Sequence, residues 1–327
     1  MTDLRRELEA SLAGTYTIER ELGGGGMSRV FVATETALGR RVVVKVLPPG
    51  LAQGLSAERF AREIRLAAAL QHPHIVPVLT AGAIDGLPYY TMPYVEGESL
   101  RARLLHGDPP ALGEIIGILA DVVLALEYAH ARGLVHRDMK PENVSLAGRT
   151  AIVADFGIAK AVSAARTQLP GATITSAGQS LGTPAYMAPG QAGGDPTDHR
   201  ADLYAWGLVA YELLAGRHPF ADKATTRQLL AAQMVERPAE LADRRPGLPP
   251  PLAALVMRCL EKDPAARPQG ASEVLEALDG LTSPAAGLPS AVTPPSPAPA
   301  PTDPALRGAR RRRRRGVRRR RHLPVGT

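Results

Sequence analysis

The strongest constraint on the fold is a change of hydrophobic period near Gly97. Before it, from Tyr16 to about Tyr94, short β-branched runs alternate with turns, a pattern that a sheet can bury. One helical stretch is embedded there, residues 57–70, in which Phe60, Glu63, Ile64 and Ala67 share a face. That face carries an acid among inward-pointing apolar groups and requires a cation opposite it. After Gly97, apolar residues recur at helical spacing: Ile115, Leu119, Val122, Val123 and Leu126 form a stripe ending near Gly133, read as a C′ glycine. Further helices are expected over 202–215, 226–234, 251–260 and 271–278. The pattern predicts an α+β chain of two lobes, a small β-rich one with one helix and a larger, mostly α one.

The formal charge of +7 is distributed unevenly. Eleven arginines lie between Arg307 and Arg321, and residues 282–327 hold a single acid, Asp303, and no other Lys or Arg. Residues 1–281 are left with 28 basic and 31 acidic groups, about −3, so the high pI belongs to the tail. Residues 283–304 are rich in Pro, Ala, Ser and Thr, which cannot bury a core. The expected division is an N-terminal extension over 1–15 and one domain over 16–280, with lobes at about 16–92 and 97–280. A disordered Pro/Ala-rich linker over 281–306 and an Arg-rich tail over 307–327 follow.

Cys259 is the only cysteine, so no internal disulfide is possible, and its apolar neighbours suggest a buried structural thiol. The first ten residues lack the pattern of a secretory signal. The richest apolar runs, 115–126 and 203–215, are too short for a bilayer and are interrupted by Asp121 and Glu212. A cytoplasmic protein is expected, peripheral at the inner face of a membrane if the arginine tail engages it.

Four strings carry chemistry. Leu22-Gly23-Gly24-Gly25-Gly26-Met27-Ser28-Arg29-Val30 is a glycine turn whose backbone N–H groups can approach phosphate oxygens; the same run would also make a flexible hairpin. Lys45 interrupts the apolar run Val42–Val46, and Glu63 follows eighteen residues later, so an ion pair between them would satisfy both. In Val135-His136-Arg137-Asp138-Met139-Lys140-Pro141-Glu142-Asn143, Asp138 can accept a hydroxyl proton, Lys140 can neutralise a transferred phosphoryl group and Asn143 can bind a metal. Ala154-Asp155-Phe156-Gly157 places a carboxylate at a strand end, where it can hold Mg²⁺ against phosphates.

In this order and at these spacings the strings resemble the eukaryotic-like serine/threonine protein kinases, bacterial members above all, over about Tyr16 to Leu278. The resemblance implies the bilobal kinase fold, ATP with Mg²⁺ or Mn²⁺, and protein substrates. It makes Leu22 to Met27, Ser28 and Val30 the flap over the phosphates. Lys45 and Glu63 would be its ion pair, Asp138 the base, and Asn143 and Asp155 the metal ligands. Met92 would lie behind the adenine, with the backbone of Pro93 and Val95 as the hydrogen-bonding edge. His136 and Phe156 would pack between the lobes. Lys140 and Gly182-Thr183-Pro184-Ala185-Tyr186 resemble the serine/threonine branch. Arg137 resembles kinases switched by phosphorylation of the segment Ala161 to Leu181, where Thr173, Thr175, Ser176 and Ser180 are candidates for autophosphorylation through self-association.

One departure stands out. The family's Ala-Pro-Glu is here Ala188-Pro189-Gly190, which would leave Arg267 without its carboxylate unless Asp195 or Asp198 replaced it. A less stable or less active kinase is expected, with a catalytically impaired nucleotide-binding scaffold as the alternative. The ten arginines within Arg310–Arg321 would bind anionic lipid, nucleic-acid phosphates or an acidic partner. Without interleaved aromatic residues, sequence-specific nucleic-acid reading is not expected. Bacterial family members often carry a similar linker and basic cluster before a membrane helix, so the tail also reads as a remnant of that architecture or as a frame-altered end.

Overall fold

A computed structural model of the chain describes residues 2–23, 28–47, 57–106, 110–157 and 184–282. Gly24 to Met27, the four phosphosite candidates, the linker from residue 283 and the arginine tail lie outside them. The chain divides into two units, residues 1–284 and 285–327, and all elements below belong to the first.

Strands β1 (Tyr16–Gly23), β2 (Arg29–Glu35), β3 (Arg40–Val46), β4 (Thr80–Ile84) and β5 (Leu87–Pro93) form an antiparallel sheet in the order β1-β2-β3-β5-β4. Alternation along the strands gives the sheet two different faces. Phe31, Ala33, Val42, Val44 and Val46 pack with Tyr16, Ile18 and Ile84 on one. Val43 and Lys45, paired across the ladder with Met92 and Tyr90, belong to the other.

The first face is covered by helix α1 (Thr2–Ser11), which places Leu4 and Leu8 on it together with Leu12 just beyond the helix. Leu8 is fully buried. The sequence reading assigned no element before Tyr16, yet the signal is present: leucine recurs at every fourth position between charged residues, and Arg5 pairs with Glu9 at 2.7 Å one turn on. Helix α2 (Ala57–Ala68) buries the expected face, with Phe60, Glu63, Ile64 and Ala67 all inward.

The larger lobe begins with β6 (Glu98–Ser99), α3 (Leu100–Leu105) and α4 (Leu112–His130). Strands β7 (Val144–Ala147) and β8 (Thr150–Val153) pair with β6 in a small antiparallel sheet. Helices α5 (Pro189–Gly193), α6 (Arg200–Ala215), α7 (Thr226–Val235), α8 (Leu241–Arg244), α9 (Pro250–Cys259) and α10 (Ala271–Thr282) complete it. The long helices match those read from periodicity; α3, α5 and α8 are too short to leave a periodic trace. Helix α4 stops at His130, with Ala131 as its cap, so Gly133 lies further out than the C′ position expected of it; it closes the turn at φ +71°.

Every residue from Ala201 to Leu214 in α6 is buried, which makes this helix the axis of the lobe. Gly207 allows α9 to approach it: a Cβ there would stand 2.8 Å from that of Cys259. The buried Cys259 thiol is pushed up to about 12 by its apolar surroundings, as suits an inert packing residue. At the seam between lobes, Ile75 pairs in parallel with Val153 of β8, and Leu70 and Ile75 join the core of the larger lobe. Among the described residues, no helix is long and apolar enough to cross a membrane.

Because α1 is part of the sheet's core, Leu8→Ala is expected to cost about 2–4 kcal/mol, while the volume-conserving Leu8→Met stays within about 1.5 kcal/mol of the parent. Equal denaturation midpoints for Leu8→Ala and the parent would show that the helix contributes nothing.

Candidate active site

The segment from Leu134 to Asn143 is shaped from below by Asp202, in the first turn of α6 and 1% exposed. Its Oδ2 accepts the His136 backbone N–H at 2.8 Å and its Oδ1 that of Arg137 at 2.7 Å, while His130 Nε2 lies 2.8 Å from Oδ2. Burial opposes ionisation of Asp202, but His130 and the backbone donors hold its carboxyl below the ordinary range. These bonds keep Arg137 at φ +68°, a left-handed conformation that costs a non-glycine residue of order 1–3 kcal/mol.

His136 is fully buried and neutral by its bonding: Nδ1 accepts the Asp138 N–H at 3.2 Å, so Nε2 carries the proton and donates to the Ala154 carbonyl at 2.9 Å. Its ring meets Phe156 edge-on at 4.6 Å, as expected of two packing residues. Through Ala154 it fixes the backbone just before Asp155.

Among the described residues, Asp138 uses one oxygen. Lys140 Nζ donates to Oδ2 at 2.8 Å and Asn143 Nδ2 at 3.3 Å, while Oδ1 accepts nothing from the described residues. Asn143 Nδ2 also donates to the Asp138 carbonyl at 2.7 Å, which fixes the amide and leaves its own Oδ1 without a donor among them. One carboxylate oxygen is thus open to a hydroxyl proton and one amide oxygen to a cation.

Asp155, at φ +67°, receives a donor on each oxygen: Tyr90 OH on Oδ1 at 2.6 Å and Lys45 Nζ on Oδ2 at 2.5 Å. Burial opposes its charge, but the Lys45 ammonium and the Tyr90 hydroxyl hold the carboxyl below its usual range. This corrects the expected pairing, since Lys45 is bonded to Asp155 and not to Glu63. The ladder gives the reason. Lys45 and Tyr90 are register partners on adjacent strands, so both tips reach one carboxylate. Tyr90 was missed by sequence reasoning, although a tyrosine two residues before Met92 in a buried strand needs a partner for its hydroxyl.

Among the described residues, no group of three or more His, Cys, Asp or Glu converges as a metal cage. The open amide oxygen of Asn143 and the carboxylate of Asp155 suit a divalent ion held jointly with nucleotide phosphates, the usual habit of Mg²⁺. Leu22 is exposed, Gly23 is left-handed at φ +110° and pairs with Val30, and Ser28 is buried. Met92 stands opposite Val43 and Pro93 opposite Val42. The Val95 N–H forms no backbone hydrogen bond among the described residues, which leaves a donor for a ligand. The Arg137 guanidinium reaches only the Thr197 carbonyl, at 3.4 Å, and its buried Nε has no partner among the described residues.

The family model for the protein kinase domain matches residues 16–278. The chain is 38% identical over 89% of its length to the serine/threonine-protein kinase pkn2 of Myxococcus xanthus, of which it covers 36%. It is 41% identical over 82% of its length to a probable serine/threonine-protein kinase of Streptomyces coelicolor, covering 41% of that protein. To the serine/threonine-protein kinase PknB of Mycobacterium tuberculosis it is 39% identical over 80% of its length, covering 42%. The chain belongs to the protein kinase family, in its bacterial serine/threonine branch. It spans between about a third and a half of these relatives.

Against the kinase pattern, the departure at Gly190 is resolved locally. Arg267, 2% exposed, donates to the backbone carbonyls of Glu261 at 2.8 Å, Lys262 at 2.9 Å and Arg200 at 3.1 Å, with its guanidinium 4.9 Å from the centre of the Tyr204 ring. Neither Asp195 nor Asp198 takes the missing glutamate's place. Asp198 is paired with Arg200 at 2.7 Å, and Asp195 makes no ion pair among the described residues. The chain therefore keeps this buried cation on three carbonyls and an aromatic face, with Asp198 acting on it only through space, and burial holds its pKa below the usual arginine value.

Carbonyls supply most of what the carboxylate would, so Gly190→Glu is expected to stabilise the fold by only about 1–2 kcal/mol, partly from replacing a helical glycine. This is well under the ~3–5 kcal/mol of a buried ion pair broken from one side. A denaturation midpoint no higher than the parent's would contradict it.

Proposed function

We propose that the chain is an active serine/threonine protein kinase that transfers the γ-phosphate of ATP to protein hydroxyls. The observation that carries this reading is the arrangement around Asp138: its Oδ2 is taken by Lys140 and Asn143, and among the described residues nothing donates to its Oδ1. In this reading the acceptor hydroxyl oxygen bonds to the γ-phosphorus as the bond to the bridging oxygen breaks, leaving that electron pair on ADP. The hydroxyl proton passes to Asp138, and Lys140 offsets charge on the transferred group. Lys45 moves its ammonium between Asp155 and the α- and β-phosphates, and Glu63, buried on α2, is the acid the kinase pattern assigns to that lysine. Asn143 and Asp155 hold Mg²⁺ or, in its place, Mn²⁺, which would supply charge neutralisation at the phosphates. Leu22 to Ser28 and Val30 cover the nucleotide, with Met92, Pro93 and Val95 along the adenine.

The buried Nε of Arg137, without a partner among the described residues, favours regulation by a phosphate from the 161–181 segment, made by a second copy of the chain acting in trans. The arginine-rich tail is assigned a polyanion-binding role, with anionic lipid at the inner membrane face the favoured contact. The scaffold alternative has no observation in its favour, since Arg267 is held without its glutamate.

Purified chain with labelled ATP and Mg²⁺ is expected to incorporate phosphate at one or more of Thr173, Thr175, Ser176 and Ser180. Asp138→Asn should lower the rate about 10²–10⁴-fold. A folded, ATP-binding parent that incorporates no label would leave only the scaffold.

A further inference from the structure

Among the described residues, Tyr90 is the one neutral side-chain donor on the carboxylate of Asp155. It is 1% exposed, its hydroxyl lies 2.6 Å from Oδ1, and β3 and β5 place it directly across the ladder from Lys45, whose ammonium holds Oδ2. The two donors differ in what they do when a nucleotide enters. An ammonium is drawn to phosphate oxygens and repelled by a divalent cation. A phenol carries no charge, so nothing draws it to the phosphates, and its hydroxyl remains a donor to the carboxylate. A carboxylate oxygen has two lone pairs, so the bond from Tyr90 occupies one on Oδ1 and leaves the other and both of Oδ2 for a metal.

We propose that Tyr90 is a positioning residue for the metal site: through its hydroxyl it fixes the plane of the Asp155 carboxylate, so that this carboxylate stays set for a divalent cation when Lys45 transfers to the phosphates. The proposal rests on the assignment of Asp155 as a metal ligand. Outer partners of ligating groups act in this way, and their loss commonly weakens metal binding 10–100-fold. Tyr90 touches neither the substrate nor the metal, and it acts only through Asp155.

The test uses the full chain with ADP, which cannot be transferred, and Mn²⁺ as the probe. Electron paramagnetic resonance reads the affinity of the ADP complex for Mn²⁺, and calorimetry in EDTA reads ADP binding without metal. Tyr90→Phe keeps the ring, so metal-free ADP binding should match the parent, while Mn²⁺ affinity falls about tenfold or more. Asp155→Asn serves as the reference for loss of the ligand itself. Unchanged or tighter Mn²⁺ binding by Tyr90→Phe overturns the positioning role. So does an equal loss of metal-free ADP binding, which would mark Tyr90 as simple packing. If the parent complex binds no Mn²⁺, the assignment of Asp155 fails and the proposal with it; binding by the parent with no effect of the variant defeats the Tyr90 role alone.

Discussion

Asp202 brings a charge into the first turn of a helix whose residues from Leu203 to Leu214 are all buried, and the geometry of the site descends from how that charge is satisfied. Its two oxygens take the backbone N–H groups of His136 and Arg137 and the ring of His130. A carboxylate so placed cannot be left unpaired, because its desolvation is offset only by those bonds. The chain above therefore bends through a left-handed Arg137, and that bend brings Asp138, Lys140 and Asn143 together. From His136 the constraint passes to the Ala154 carbonyl, and so to the backbone that presents Asp155.

The five-stranded sheet serves two purposes through alternation alone. Residues at odd register on β3, Val43 and Lys45, face the site; their even neighbours, Val42, Val44 and Val46, face α1. A one-residue slip would exchange the faces and place Lys45 in an apolar core. The packing of α1 is therefore linked to the chemistry, because the leucines that cover one face also fix the register that holds Lys45 and Tyr90 on Asp155.

Periodicity and spacing were sufficient for the long helices, for the buried face of α2 and for the strings around Asp138 and Asp155, since these are local patterns. What could not be read are pairings between distant segments. Nothing in the order of residues tells Lys45 to choose Asp155 over Glu63, because the choice is made by the Tyr90 register partner on another strand. Asp202 was visible only as the start of a helix, 66 residues from the N–H group of His136 that it binds. Helix α1 is a different case. Its leucine column lies within twelve residues, but a short amphipathic stretch declares itself as core only when the sheet face it covers is known.

The Gly190 position illustrates how a fold can dispense with an ion pair. Arg267 sits on three carbonyls and an aromatic face, so its charge is solvated by dipoles already present in the turns around it. The segment that an ion pair would have anchored is held by amides. Gln191 accepts the Ala188 N–H at 3.0 Å and donates to the Arg137 carbonyl at 2.9 Å, and Gln233 of α7 donates to the Ala185 carbonyl while accepting from Tyr204. An amide has no charge to desolvate, titrate or screen with salt. These amide contacts are indifferent to pH and ionic strength, and they act beside charged ones: Tyr186 of the same segment bonds to Arg101 and Glu212, and the Ala185 carbonyl also meets His218.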